Sequence, residues 1–593
     1  MPNESFANAP LVEIGGRPLS APVAHQLAYT RVEGSLNLPD SCLLRFRDPH
    51  RGVLADAGIE IGATVTVKVN TSEPGAPVTL MTGEITAVEL DIDVHGSVTE
   101  VRGLDLAHRL CRGRRTAAYP DMSIPDVVRK VCSRAGLTVG TVDPVPGGGR
   151  PHTQLSQRNQ SDWEFLTDLA DTVGAQVTAS EGRLHFRLPR SPAAAPGRSA
   201  SATSDPLVLE EGRNLISLRA SMTATAQVPQ VEVRGWDYEH KQPLSATAVP
   251  AAVSSEVPAA DPVGLANRFG AAPLRDADPA RHDPKTLQAT ADGLAELIGD
   301  AAVELDGVAR GNPRLLPGAA VALSGVGEPF TGKYTLATCR HVFGELDGYT
   351  TAFTVSGRRV RSLTGITDGD RPVPAAPFTG LVPAVVTDVR DPLALGRVKL
   401  TFPWLAEDFT SGWARTVQQG AGADRGALLL PEVGDEVLAG FAMGDLNSPY
   451  VLGGLYNGED APPALGVPVV DGGDGRIAVR GWVSRTGHRV ELVDAPDGAG
   501  VLVATGDGGL KLRLDPAGKT IELLGDGPVK VTGVGVTVDA GTGVLELKGQ
   551  SVKLTGQTSV EVSGQQVKVA AQATGEVSAS GQLTVRGGIV KIN

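Results

Sequence analysis

The C-terminal part of the chain repeats a short pattern of apolar and polar residues. The stretch GQSVKLTGQTSVEVSGQQVKVA, from Gly549 to Ala570, contains three copies in which two apolar residues flank a polar one. Because side chains point to alternate sides of a β-strand, this spacing predicts short strands with one apolar and one polar face. The pattern extends from Ser484 onward, and its apolar pairs are Val529/Val531, Val536/Val538, Leu545/Leu547, Val552/Leu554, Val560/Val562, Val567/Val569, Leu583/Val585 and Val590/Ile592. The polar residues between the members of these pairs are Lys530, Thr537, Glu546, Lys553, Glu561, Lys568, Thr584 and Lys591.

Single glycines stand near the joins between these predicted strands, where a turn needs positive φ. They are Gly549, Gly556, Gly564, Gly581 and Gly587. A repeat this short is typical of a β-helix or β-prism. The alternative is an ordinary β-sandwich with tight hairpins, which is disfavoured because such hairpins need Asn-Gly or Asp-Gly turns at alternating ends.

One chain cannot complete a solenoid with these strands, because each repeat supplies one strand and a coil needs three faces. We expect three copies of the chain to wind together, so that each strand pairs with strands of its two neighbours and no lateral edge stays unpaired. With a strand spacing of about 4.8 Å, residues 484–593 would form an intertwined trimeric needle roughly 60 Å long. The residues assigned to its dry apolar axis are Val552, Leu554, Val560, Val562, Val567 and Val569.

The region before the repeat predicts a small all-β domain. Short β-branched runs separated by Gly, Asp and Pro extend from Pro377 to Asn457, and a five-stranded OB-type barrel fits them. OB barrels that bind oligonucleotides need basic and aromatic residues on one face. Residues 377–460 hold five Lys and Arg against eleven Asp and Glu, a net charge of −6. We therefore expect no nucleic-acid partner.

The N-terminal half predicts early strands and then two capped helices. Strands are expected at Thr64–Asn70 and Met81–Val94. Ser123 with Asp126 opens the first helix, SIPDVVRKVCSRAG. A capping box of Ser161 and Glu164 opens the second, SDWEFLTDLADTVG. Its apolar residues Trp163, Leu166 and Leu169 recur at helical spacing, which favours a core over a cofactor site.

Composition and charge exclude several classes of partner. A net charge of −13 over 593 residues argues against nucleic acid and against an anionic membrane surface. The N-terminus has no basic stretch followed by an apolar run, so no signal peptide is predicted, and no segment approaches about 18 continuous apolar residues. The cysteines show no CxxC spacing, and free thiols in a reducing cytoplasm are expected for Cys42, Cys111, Cys132 and Cys339.

No residue pattern predicts catalysis or a metal centre. None of the ten histidines forms an HxH or HExxH pair. His488 in SRTGHR lacks a nucleophile context and is expected to be structural. Asp471 and Asp474 in VVDGGDG lack the further oxygen ligands of a calcium loop and are expected in a solvated turn. We assign no catalytic, cofactor-binding or metal-binding residue.

Several motifs resemble the VgrG family, the spike proteins of contractile injection systems. In the C-terminal half they are FPWLAEDFTSGWAR, GALLLPEVGDEVLAGFAMGDLNSPYVLGGLYN and SRTGHRVELVD, in this order and followed by the strand repeat. In the N-terminal half, GLDLAHRLCRGRR, QLSQRNQSDWEFLTDLADTVGAQVTASEGRLHFR and EGRNLISLRASMTATAQVPQVEVRGWD are similar to the hub domain of the same family. Such spikes belong to type VI secretion, to extracellular phage-tail-like particles and to myophage tails.

The resemblance implies a mainly β fold with a few helices. Residues 1–375 would be a tail hub with two similar β-barrels, a helical insertion and a loop near residues 189–205. The breaker DGDRPVPAAP, Asp368–Pro377, would separate this hub from an OB-fold domain at residues 376–460. A neck linker at residues 461–483 and a triple-stranded β-helix at residues 484–593 complete the expected order.

The resemblance also implies a function, that of a homotrimeric, non-catalytic hub–spike which pierces the target envelope when a sheath contracts. The expected partners are two more copies of the chain, an inner-tube protein, baseplate subunits and a PAAR-type tip protein, and the target membrane is touched only mechanically. Assembly is expected in the bacterial cytoplasm, in a phage-tail-like particle that is released or delivered into a target. The tip protein is expected to sit on Ile589, Val590, Ile592 and Asn593.

A function of another class is a β-helical polysaccharide-degrading enzyme, as on some phage tailspikes. Such an enzyme needs carboxylates, or Arg and Lys, clustered on one face of a long groove. Here the charges of the repeat alternate as single outward residues, and paired acids at one register are missing. Glycan release by the purified protein separates this alternative from the spike.

Overall fold

The computed structural model describes most of the chain. Two predictions fall outside the described residues: the breaker Asp368–Pro377, and Asn593 of the predicted tip seat. The described residues fall into two compact units, residues 1–461 and residues 462–593. The described ranges are 10–36, 38–70, 77–94, 96–145, 151–180, 182–197, 199–237, 239–270, 272–278, 281–344, 348–356, 380–496 and 498–592.

The first unit begins with strands and two short helices. The strands predicted at Thr64–Asn70 and Met81–Val94 are confirmed as β5 and β6. Apolar and polar residues alternate along β5, and its apolar residues Val65, Val67 and Val69 are all buried. The elements are β1 (Pro10–Ile14), β2 (Arg17–Pro18), α1 (Ala21–Gln26), β3 (Leu27–Ser35), β4 (Ser41–Arg47), α2 (Val53–Ala57), β5 (Thr64–Val69), β6 (Val78–Asp93) and β7 (Gly96–Leu104).

A helical subdomain with its own core follows. Both predicted helices are confirmed, and the capping box of the second is complete: the Glu164 N–H donates to Ser161 Oγ at 3.2 Å and the Ser161 N–H to Glu164 Oε2 at 2.8 Å. Trp163, Leu166 and Leu169 are buried in this core, as expected. The elements are a 3-10 helix (Leu106–Cys111), β8 (Arg115–Met122), α3 (Ile124–Arg134), β9 (Thr138–Val142), β10 (His152–Gln160), α4 (Asp162–Thr172), β11 (Gln176–Ser180) and β12 (Arg183–Arg187).

The rest of the hub region is mostly strand but contains a long helix, α6, that the sequence analysis did not predict. Its buried residues are mainly small, such as Ala289, Ala291 and Gly293, but Leu287, Leu294 and Ile298 recur at helical spacing on the side that faces the core. Its start carries a signal, an Asp283 cap followed by Pro284. The elements are a 3-10 helix (Pro192–Ala194), β13 (Val208–Glu210), β14 (Leu215–Met222), β15 (Val231–Asp237), β16 (Gln242–Ala248), β17 (Ser255–Glu256), a 3-10 helix (Pro258–Ala260), α5 (Pro262–Asn267), β18 (Leu274–Ala277), α6 (Pro284–Asp300), β19 (Val303–Arg310), β20 (Ala320–Ser324), β21 (Gly332–Thr335), β22 (Thr338–Gly344) and β23 (Gly348–Val355).

One sheet of eleven strands connects the early and late parts of the hub region. Its order is β14-β19-β23-β22-β3-β4-β7-β6-β5-β1-β2. Two apolar cores lie along it, one around Phe46 and Val67 and one around Leu305 and Phe353. The strands β3 and β22 pair antiparallel where the two parts meet. Eleven strands from the two parts therefore form one continuous sheet, and smaller sheets such as β13-β20-β21-β17 lie beside it in the hub region. The two similar β-barrels that the resemblance implied stay a prediction.

The predicted OB-type domain is confirmed as a five-stranded sheet in the order β25-β24-β29-β30-β26. Its apolar core includes Phe402, Phe409 and Val437, which are completely buried. The elements are β24 (Val382–Asp388), β25 (Lys399–Thr401), β26 (Arg415–Thr416), β27 (Ala421–Gly422), β28 (Arg425–Gly426), β29 (Glu436–Phe441), a 3-10 helix (Ala442–Gly444) and β30 (Pro449–Gly454).

The second unit begins with a five-stranded antiparallel meander, which we call the meander. The needle was predicted to begin at residue 484, but residues 484–525 instead pair within one chain through hairpins. The residues between these strands explain the difference: TGDGG contains Asp507-Gly508, a hairpin signal, and Gly508 has φ of 72°. Its strands are β31 (Val479–Val483), β32 (Arg489–Val493), β33 (Gly500–Ala504), β34 (Leu510–Asp515) and β35 (Thr520–Gly525).

Residues 526–592, which we call the tail segment, contain no helix and no strand paired within the chain. All of them are described, and all are exposed. Among the described residues of the whole chain, no helix is long and apolar enough to cross a membrane.

Candidate functional site

Both residues of every predicted apolar pair in the tail segment are exposed. The first residue of each pair is between 51% exposed, at Val590, and 57% exposed, at Val529. The second residue ranges from 63% at Leu547 to 91% at Val569. Contiguous exposed apolar surface on this scale is typical of an interaction surface.

The backbone of the tail segment has almost no partner within the chain. Inside residues 526–592 a single backbone hydrogen bond is formed, from the Gly543 N–H to the Ala540 carbonyl oxygen at 2.8 Å. Strand-like backbone needs hydrogen-bond partners when it is removed from water. The tail segment therefore presents an apolar face together with backbone donors and acceptors that mostly have no partner within the chain.

The structure places every predicted axis residue in this exposed face. Within one chain the six are more than half exposed, and none is brought into a core: Val552 56%, Leu554 68%, Val560 56%, Val562 70%, Val567 57% and Val569 91%. Of the predicted tip seat, Ile589 is 82%, Val590 51% and Ile592 91% exposed. Their assignment to an axis and to a tip seat stays a prediction.

Glycines shape the corners between the repeats. In four repeats the first valine of the pair lies close to the glycine that precedes it. The distance from the position of a Cβ atom on the glycine to the valine Cγ2 is 3.6 Å for Gly525 and Val529, 3.8 Å for Gly533 and Val536, 3.1 Å for Gly556 and Val560, and 3.6 Å for Gly587 and Val590.

Gly556→Ala is expected to destabilise the tail. The added Cβ would lie 2.1 Å from the Ser559 carbonyl oxygen, so the corner must shift, at a cost of about 1–3 kcal/mol per chain. We expect a lower temperature of thermal unfolding for the purified chain. Gly581→Ala is the matched control, because nothing lies within 4 Å of its new methyl group. Equal unfolding temperatures for the two variants would contradict the close approach at Gly556.

The OB-type domain contains a buried ion pair that the sequence analysis did not single out. Arg397 Nη2 donates to Asp391 Oδ1 at 2.7 Å, and the two side chains are 7% and 3% exposed. The N–H groups of Leu393 and Leu395 also donate to Asp391, at 3.0 and 2.8 Å. Burial by itself raises the pKa of Asp391, but these hydrogen bonds hold it well below its usual value. The pair therefore fixes the loop between β24 and β25.

A cavity of about 440 Å³ in the first unit is lined by several carboxyl groups, among them the half-buried Asp40 and the buried Asp105. Burial raises the pKa of both, and the charge of Asp105 raises that of Asp40 further. Their oxygens accept hydrogen bonds from backbone N–H groups: Asp40 from Ser35 at 3.3 Å, and Asp105 from Asp40 at 2.9 Å and from Ala107 at 2.6 Å. These contacts fix the connection between β3 and β4 and the start of the 3-10 helix Leu106–Cys111.

A second cavity, of about 590 Å³, lies in the first unit beside α4 and is lined in part by Asp168. Burial raises the pKa of Asp168 to about 6, although the Gln160 side chain donates a hydrogen bond to it. A raised pKa means that the fold favours the protonated carboxyl. Its contribution to stability is therefore complete below the ordinary pKa of 3.8 and is lost as the pH rises through about 6.

Asp168→Asn is expected to stabilise the protein at neutral pH. The amide keeps a hydrogen-bond acceptor for Gln160 and removes the buried charge. We expect the free energy of unfolding to rise by about 1–3 kcal/mol at pH 7.5 and to change little at pH 4. Thermal unfolding of both proteins at the two pH values measures this difference. Asp91→Asn, on an exposed part of β6, is the control. A gain that is equal at pH 4 and pH 7.5 would contradict the raised pKa.

The residues considered for chemistry have structural surroundings. His488 Nδ1 accepts a hydrogen bond from the Gly506 N–H at 3.1 Å, and Asp471 accepts from the N–H groups of Gly473 and Asp474 at 2.7 and 3.2 Å. Burial raises the pKa of the thiols of Cys42 and Cys132, to about 12 and about 11, so neither is a thiolate nucleophile at neutral pH. Among the described residues, no group of three His, Cys, Asp or Glu side chains is arranged to hold a metal ion.

A known family model matches the OB-type domain. Residues 382–456 match the family model described as the type VI secretion system and phage-baseplate injector OB domain. Over 72 residues the chain is 40% identical to the type VI secretion system spike protein VgrG2a of Pseudomonas aeruginosa. Over the same length it is 36% identical to the spike protein VgrG3 of Vibrio cholerae. The chain therefore contains an injector OB domain and resembles VgrG-family spike proteins.

The fold of the chain is similar to that of a solved structure. A structure of the Francisella PdpA–VgrG complex aligns with a TM-score of 0.51 at 8% identity, covering 87% of this chain and 79% of the other. An Escherichia coli component of the type VI secretion system aligns with a TM-score of 0.45 at 15% identity, covering 75% and 99% of the two chains. Residues 62–345 match a model described as the Alg8 N-terminal domain.

The sequence match covers a small part of the curated relatives. The 72 residues are 12% of this chain, but only 9% of VgrG2a and 7% of VgrG3. The activity and partners of the whole chain are therefore proposals.

Proposed function

We propose that this chain is the homotrimeric central hub–spike of a contractile injection system, and that it works without catalysing a reaction. The observation that carries the proposal is the tail segment, whose apolar pairs are exposed and whose backbone is almost unpaired within one chain. Two further copies would supply the missing strand partners and cover the apolar face. The injector OB domain upstream of this segment supports the same function.

The mechanical role follows from an intertwined arrangement. Sliding one chain along the axis would break the inter-chain hydrogen bonds along the whole length of the needle together. The buried apolar axis adds resistance to local opening, at roughly 25 cal/mol for each Å² of apolar surface. A rod of this kind would transmit the force of sheath contraction without bending or unravelling.

The partners are proposed from the same geometry and from the family. The exposed terminal residues Ile589, Val590 and Ile592 would seat a PAAR-type tip protein. The hub region would seat the first ring of an inner-tube protein, surrounded by baseplate subunits. Assembly would take place in the bacterial cytoplasm, and the particle would then be released or used for delivery into a target.

Particles purified from the producing bacterium test this function. An epitope tag fused after Asn593 should be labelled at one end of each particle in electron micrographs. A variant that ends at Gly525 should lose delivery into target cells, because the needle is missing. Absence of the chain from purified particles would overturn the proposal. Release of sugars from envelope polysaccharide by the purified chain would support the tailspike enzyme instead.

A further inference from the structure

The outward residues of the tail segment carry a regular alternation of charge. Glu546, Lys553, Glu561 and Lys568 stand between the members of four successive apolar pairs, so each occupies the same place in its repeat. The next repeat has Gly575 and Val577 in the apolar places, eight residues after Val567 and Val569, and Glu576 between them. This repeat escapes a search for apolar pairs because glycine stands in its first place. Five successive repeats therefore alternate in sign, and we call these five residues the charge row.

Three-fold winding determines which repeats become neighbours. Suppose that each chain places one strand on one face of the needle and its next strand on the next face, one strand spacing higher. Each strand then lies directly above the preceding repeat of a neighbouring chain. The strands on a face run in the same direction, so the same place in successive repeats is about 4.8 Å apart. Lys553 of one chain would thus lie beside Glu546 of its neighbour, and Glu561 beside Lys553.

We propose that the charge row sets the register of the three chains by forming ion pairs between each repeat and the adjacent repeat of the next copy. The inference rests on the trimer of the proposed function and names the contacts that align it. Every one of the four steps along the row joins opposite charges, and three-fold symmetry repeats each step three times.

The apolar axis alone cannot specify this register. Its pairs are Val or Leu in nearly every repeat, so a chain displaced by one repeat would still bury apolar residues. The same displacement would place Lys beside Lys and Glu beside Glu at every step of the charge row. Like charges directly opposite each other destabilise paired strands, whereas opposite charges stabilise them. The row therefore discriminates between two assemblies that the axis does not distinguish.

The charges of the row are largely available for such contacts. Glu546 forms an ion pair within its own chain, with Lys548 Nζ at 2.8 Å, and both side chains are more than half exposed. In residues 526–592, which are all described, Lys553, Glu561, Lys568 and Glu576 form no ion pair within the chain. Exposed pairs are individually weak, so the effect depends on the repetition of the contact along the row.

An inverted chain tests the proposal. This variant combines E546K, K553E, E561K, K568E and E576K, so the alternation is preserved with opposite sign. Alone it should form a trimer as the natural chain does. Co-expressed with the natural chain under a different affinity tag, it should sort into homotrimers, because a mixed trimer in the natural register places like charges together. A displacement of the inverted chain by one repeat would restore opposite charges, but it would leave end repeats of the row without partners. Chance assembly would give about three quarters mixed trimers, and we expect at least a tenfold depletion of these by native mass spectrometry.

Two controls separate the outcomes. In the first, the natural chain co-expressed with a second natural chain under the other tag should mix by chance. In the second, the inverted and natural chains are refolded together in 1 M salt, where the Debye length is about 3 Å, and the depletion of mixed trimers should shrink. Statistical mixing of the inverted and natural chains would overturn the charge row and leave the trimer intact. Failure of the inverted chain to assemble alone would contradict the proposal as well. A natural chain that is monomeric would instead overturn the proposed function.

Discussion

Val560→Asp is expected to abolish a trimer that resists SDS at room temperature. Val560 is the first residue of an apolar pair and is assigned to the dry axis, so three-fold winding would bring three carboxylates together there. Each unpaired charge removed from water costs several kcal/mol, and the three would also repel one another. Electrophoresis of unheated samples, followed by the mass of the chain in solution, measures the loss.

Thr584→Asp is the matched control for this variant. Thr584 stands between Leu583 and Val585, where the pattern points side chains outward, so the same carboxylate would stay in water. We expect this variant to run as a trimer in unheated SDS. A Val560→Asp protein that also survives unheated SDS as a trimer would show that this residue does not face a common axis.

Arg397→Leu is expected to destabilise the OB domain by about 3–5 kcal/mol, because it leaves the carboxylate of Asp391 buried without its counter-ion. The loop that Asp391 holds should open first. Hydrogen exchange at the N–H groups of Leu393 and Leu395, which donate to this carboxylate, gives a local measurement.

Arg390→Leu is the control for the ion pair. Arg390 also contacts an aspartate, Asp388, with Nε 3.0 Å from Oδ1, but its side chain is 87% exposed. Water replaces such a contact at little cost, so unfolding and exchange should stay close to those of the natural chain. If both variants behaved alike, the burial of the Arg397–Asp391 pair would not be what stabilises the loop.

The elements that could be predicted from the sequence carry strong local signals. The helices α3 and α4 begin at side-chain caps, and β5 alternates strictly between apolar and polar residues. Helix α6 was missed although it carries similar signals, an Asp283 cap and Leu287, Leu294 and Ile298 at helical spacing. Alanine and glycine on the rest of its buried face make this apolar stripe sparse. The pairing of β3 with β22 joins residues about three hundred positions apart, and no local pattern encodes it.

The candidate site was predicted in part. The repeat of apolar pairs identified the tail segment, since period-two alternation does not depend on what the strand pairs with. The boundary was wrong at its start, because the hairpin signal Asp507-Gly508 outweighs the likeness of the meander to the repeat. The Asp391–Arg397 pair could not be foreseen, because its strength comes from burial among residues distant in sequence.

The mass of the purified full-length chain in solution tests most directly whether three copies are wound together at the tail. Light scattering should give three times 61.3 kDa, with residues 526–592 resistant to protease. A folded particle of 61.3 kDa in which the same residues are equally resistant would contradict the account, because one chain would then satisfy this backbone without its neighbours.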